Sequence, residues 1–108
     1  MDIKQFEKLT DARFKKCKEL MIGSKNVEYS RNNDKLHNFK VAGRIGDVTP
    51  EFALIGMFMK HLVSIFDIVN DLDSDKLPTQ EMLAEKVTDT CNYLLLLEAL
   101  ITERIQAK

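Results

Sequence analysis

Cysteine is scarce in this chain: Cys17 and Cys91 are the only two in 108 residues. No disulfide framework and no metal-binding cysteine spacing can be built from them, and both read as buried free thiols of a reducing cytoplasm. An excess of basic charge is also missing. Sixteen Lys and Arg stand against seventeen Asp and Glu, a formal net charge of −1, which argues against a binder of duplex nucleic acid. No run alternates in the manner of a strand, and neither an internal repeat nor a low-complexity tract is present, so sheet and solenoid architectures drop out. No serine or cysteine has a convincing activating partner, which argues against a triad hydrolase. The start, Met1-Asp2-Ile3-Lys4-Gln5-Phe6, is charged from its second residue and does not read as a secretory signal. The strongest apolar runs are broken by Lys60-His61 and by Glu98, so no bilayer-spanning segment is expected and a cytoplasmic protein is.

What is there is helical periodicity. Hydrophobic residues make up 44% and charged residues 31%, the balance of one ordinary globular domain with a core of its own. Apolar residues recur at three- and four-residue steps from Ile3 to Met21, predicting a first helix with Gly23 beyond its end. A polar loop, 24–33, contains Tyr29. A short helix follows from Lys35 to Arg44, capped by Asn33 or Asp34 and ended by Gly43 and Gly46. Thr49-Pro50-Glu51 is a strong start signal for a third helix running to Asp71. The fourth spans Thr79 to Gln106. The expected fold class is therefore all-α: a small bundle with a long antiparallel helical hairpin, about 50–71 and 79–106. The third helix is apolar on most of its circumference and the fourth around its leucine-rich second half. One small domain has difficulty burying both, so a homodimer or higher oligomer is expected.

The two long helices also carry polar residues at helical spacing. Folding one back on the other pairs residues whose numbers sum to about 150, from turn geometry and rise per residue. Asp71 then lies near Glu81, Asp67 near Glu85, and His61 near Asp89. Glu85, Asp89 and Asp67 are candidate oxygen ligands for a hard cation such as Mg²⁺; the competing account is a solvated acidic edge. Lys60, on a very apolar helix, must reach water or an anion. A His61–Asp89 pair orients the imidazole for phosphate, or serves as a structural tie between helices. Asn92 is a poor choice for a buried helix interior unless its amide is paired, and suits a base edge. Tyr93, Tyr29 and Asn38 can approach the same place and supply stacking and hydrogen bonding.

The segments Tyr29-Ser30, Asp34-Lys35-Leu36-His37-Asn38-Phe39-Lys40, Lys60-His61 and Glu85-Lys86-Val87-Thr88-Asp89 with Asn92-Tyr93-Leu94 resemble a family of small phage and prophage proteins. The Tyr29 loop and the Asp89–Tyr93 stretch are similar to the phage nucleotide-modification-associated helical domain. The last helix also resembles the MazG-like all-α nucleoside triphosphate pyrophosphohydrolases. Those enzymes bind Mg²⁺ with acidic pairs on successive helices; Asp89 matches the final aspartate, Glu85 approximates the glutamate before it, and Lys60, His61 and Ser64 stand where the other acids would be. What the resemblance implies is a phage-associated, nucleotide- or phosphate-binding protein of the host cytoplasm, with MazG-like nucleotide hydrolysis as its reaction if it is an enzyme. On that reading Lys60 and His61 meet phosphate, Asn92 and Tyr93 meet base or sugar, and Mg²⁺ is the cofactor where one is used. The alternative, from a different class, is a non-catalytic phage interaction protein acting through an apolar helix surface.

Overall fold

The computed structural model describes residues 1–23 and 34–108. It contains four helices in chain order: α1 (Ile3–Ile22), α2 (His37–Gly46), α3 (Pro50–Leu72) and α4 (Gln80–Gln106), and no strand of any length among the described residues. The fold is all-α. Tyr29 and Asn33 lie outside the described residues.

Helix ends follow local chemistry. At α1 the Asp2 carboxylate accepts from the Gln5 N–H at 2.8 Å while the Gln5 side chain accepts from the Asp2 N–H at 2.9 Å, a reciprocal capping box. Thr49 accepts from the Phe52 N–H at 3.1 Å with Pro50 in the first helical position, and Thr79 accepts from the Met82 N–H at 3.0 Å with Pro78 just ahead. The start of α2 differs from expectation. Asp34 does not cap it; its carboxylate accepts from the Leu36 N–H at 3.0 Å and from Lys40 at 2.8 Å, and the helix begins only at His37.

Gly43 does not terminate α2 either. The helix continues to Gly46 and closes on Asp47 in a left-handed conformation, φ 54°. Gly43 is buried, and a Cβ there would sit 2.9 Å from the Val48 carbonyl oxygen and 3.0 Å from the Pro50 nitrogen. The α2–α3 turn folds directly over it, and only glycine allows that approach.

α3 packs on both α2 and α4, and α1 packs on α4. The core joins Leu36 and Phe39 to Leu54 and Phe58 of α3 and Leu100 of α4, with Leu62, Leu96 and Leu97 against it. Between α1 and α4, Arg13 donates to the Thr88 hydroxyl at 2.8 Å and Cys17 is buried against the Thr88 carbonyl. Both cysteines are free thiols, but only Cys17 is fully buried; Cys91 is half-exposed. The radius of gyration is 16.2 Å, against about 13 Å for a compact domain of this length. Much apolar surface stays outside accordingly, including Phe52, Met59 and Phe66 of α3 at more than half exposure. α3 also corrects an expectation about membranes. Its best 18-residue stretch has a mean hydropathy of 1.8, so by length and composition this helix is able to cross a bilayer; Lys60 and Asp67 are too few to pull that average down.

Candidate functional site

All four helices converge on one cavity of about 350 Å³, within the range of small-molecule sites. Met21, at the end of α1, closes one side. Lys35, Asn38 and Phe39 enter from the start of α2, Met57 and His61 from α3, and Asp89, Asn92, Tyr93 and Leu96 from α4. The α4 residues recur at steps of three and four, so a single helix face makes one wall.

Aromatic rings form the floor. Tyr93 stacks on Phe58 with centroids 5.5 Å apart and an interplanar angle of 26°, and meets Phe39 edge-on at 6.4 Å. The His61 imidazole lies 4.7 Å from the Tyr93 ring, tilted by 40°. Its Nδ1 stands 3.8 Å from Asp89 Oδ2, with both side chains largely covered. That separation is longer than a hydrogen bond and short enough for an ion pair when the ring is protonated. The predicted pairing of His61 with Asp89 is therefore present.

Asn92 is 8% exposed, and its Oδ1 is sealed from solvent with no hydrogen-bond partner among the described residues. A buried amide left unpaired costs roughly 1–3 kcal/mol. Such a group is rare in a native interior and calls for a cause.

Several expected residues are elsewhere. Lys60 is exposed and outside the cavity wall. Neighbours on a helix point about 100° apart, so His61 turned inward carries Lys60 away; the two do not share one face. Asp67 and Glu85 are exposed and take no part in the cavity. Among the described residues no three of His, Cys, Asp and Glu are grouped to hold a metal, and Asp89 faces the imidazole. Asn38 does reach the cavity rim, although it is exposed overall. Tyr29 is outside the described residues. The sequence reading missed Lys35 as the cation of the wall. No acid among the described residues pairs with it, and a Lys two residues before a helix, followed by Asn38 and Phe39 one turn on, was the available signal.

Charge elsewhere is committed. Lys40 bridges Asp34 at 2.8 Å and Glu103 at 3.0 Å, holding the Asp34 carboxyl below its ordinary range and being raised itself by both acids. Arg104 grips Glu51 through two nitrogens, the second at 3.1 Å, and lowers its carboxyl. Burial pushes the Cys17 thiol up, and the nearby Cys91 adds to this; a thiol so placed is a poor nucleophile. The leucine-rich part of α4 divides: Leu100 is buried, Leu96 and Leu97 line the core, and Leu94 and Leu95 are exposed.

Comparison with protein families, with curated proteins and with solved structures gives no match. The chemistry of the site is carried by its own geometry.

Proposed function

We propose that the cavity binds a nucleotide, and that α3 and α4 form the antiparallel hairpin that frames it. The observation carrying this reading is the buried Asn92 amide, whose Oδ1 has no partner among the described residues, in a wall that also presents stacked aromatic rings. A nucleobase supplies edge donors or acceptors for the amide, and its flat face suits a wall lined by the His61 and Tyr93 rings. Which end of that amide accepts is fixed by the ligand, because oxygen and nitrogen exchange by a simple flip. Lys35 supplies the cation for phosphate, and His61, oriented by Asp89, supplies a second when protonated. Mg²⁺ is not required by this arrangement; Glu85 and Asp67 would enter only as ligands of a metal that arrives with the phosphate.

A melting experiment with nucleosides, nucleotides and inorganic phosphate, each with and without Mg²⁺, tests it. A nucleotide present at 100 times its Kd stabilises the fold by about 2.7 kcal/mol, a rise in Tm on the order of 10 °C for a domain of this size. The rise is expected without Mg²⁺, and to vanish in Asn92→Leu and shrink in Lys35→Ala. A rise that needs Mg²⁺ returns Glu85, Asp89 and Asp67 to the role of ligands. If Asn92→Leu still responds fully to nucleotide, the amide takes no part in binding and the reading fails; if it also melts lower than wild type, the amide is structural.

A further inference from the structure

The outer face of α3 carries a seam that the described residues leave exposed. Phe52, Ile55, Met59, Val63 and Phe66 are 67%, 39%, 55%, 54% and 63% exposed. Their steps of three, four, four and three keep them within a sector of about 80° on a helix of 3.6 residues per turn, and none carries a charge. The sector is centred about 120° around the helix from Leu54 and Phe58, the α3 residues buried in the core. Repeats near 3.5 residues are those of helices that pack side by side. Gly56 lies beside the same face, and nothing among the described residues comes within 4 Å of the place its Cβ would take. Glycine inside a helix costs about 1 kcal/mol relative to alanine, and no contact among the described residues explains it here. Its absent side chain lets a second backbone come close.

We infer that this seam is the interface of a homodimer, two copies packing α3 against α3 about a two-fold axis. Area supports a second copy as occupant. The five exposures amount to on the order of 500 Å² on one chain, the size of the largest apolar patch on a typical monomer, which is often a functional surface. A self-complementary pairing doubles it to about 1,000 Å², the lower bound of a specific interface. A bilayer fits less well. Lipid would have to surround the helix, yet its reverse side is occupied by α2 and α4. The exposed Lys60, near the middle of α3, would also be carried into hydrocarbon. Between two copies Lys60 stays at the rim, in water.

Light scattering on the full chain tests this. Wild type is expected at twice 12.4 kDa, and Met59→Glu and Phe66→Glu at the single mass with helical circular dichroism intact, because neither side chain belongs to the core. Gly56→Leu adds apolar bulk where the single chain has room, so it folds; its expected effect is at least a tenfold weaker association. Ile45→Glu, equally apolar in its loss but on α2 and 82% exposed, leaves the mass doubled. Wild type at the single mass up to about 100 μM overturns the inference, as does Met59→Glu at the double mass. So does wild type that stays monomeric in water and sediments with phosphatidylcholine vesicles, the result expected of a membrane helix.

Discussion

Leu54 and Phe52 stand two residues apart on α3, both apolar, with opposite fates: Leu54 is fully buried against α2 and α4, and Phe52 is 67% exposed. The same contrast runs the length of the helix, with Phe58 inside and Met59 outside. Both faces are equally hydrophobic, so hydrophobicity does not decide which becomes core. The deciding factor is what each face meets. The inner face meets Phe39 and Leu100, which fill its gaps; the outer face stays exposed among the described residues. An apolar stripe is stabilising only in proportion to the area it removes from water, and on the outer face of α3 the described residues remove little.

The largest effect that could break this comparison comes from the inner face. Leu54→Ala is expected to cost about 3 kcal/mol in urea unfolding, as buried leucine truncations do, whereas Met59→Ala, read at concentrations too low for association, should stay within about 0.5 kcal/mol. Equal losses would show that the two faces do not differ. Next comes Gly43→Ala, which places a methyl against backbone atoms of the α2–α3 turn. A destabilisation on the order of 2 kcal/mol is expected, against a gain for Gly56→Ala, where the space is open and helix propensity favours alanine.

Asn92→Leu sharpens the contrast between site and core. Removing an unpaired buried amide is expected to raise the melting stability of the unliganded protein by about 1 kcal/mol while abolishing its response to nucleotide. A fall in stability would mean that the amide has a structural partner.

The smallest effect is acidic. Asp34 and Glu51 have carboxyls lowered by Lys40 and Arg104. Groups depressed in the folded state contribute stability that is present above their unfolded pKa and lost as pH falls through the folded one. Urea midpoints should therefore decline as pH drops below the ordinary carboxylate range, and Arg104→Ala should flatten part of that decline. The pair is partly exposed, so its contribution is small and shrinks further in salt. Lys40, raised by Asp34 and Glu103, works in the opposite direction: its contribution holds below its unfolded pKa and fades as pH rises through the folded one. A midpoint indifferent to pH from 3 to 7 would remove these bridges from the account.

The helices and their starts were legible because those signals are local. Thr49-Pro50 marks a helix start from three residues, and Gly23 an end from one. The His61–Asp89 encounter was legible too, since helix rise and a short turn restrict which residues can meet. Lys60 was not, although the same arithmetic was to hand: once His61 turns inward, a step of 100° carries its neighbour out. Gly43 looked like a terminator because glycine does end helices; its actual constraint is the backbone of Val48 and Pro50, which come from the next element.

By itself, then, the sequence determined the all-α class, the number of helices and the pairing of an imidazole with a carboxylate, each resting on backbone periodicity and short-range capping. Only the tertiary structure decided which face of α3 is core, that Lys35 rather than Lys60 stands in the cavity, and that the Asn92 oxygen is buried with no partner among the described residues. Those outcomes depend on contacts between elements far apart in the chain, and a helical repeat records which residues share a face but not what that face will meet.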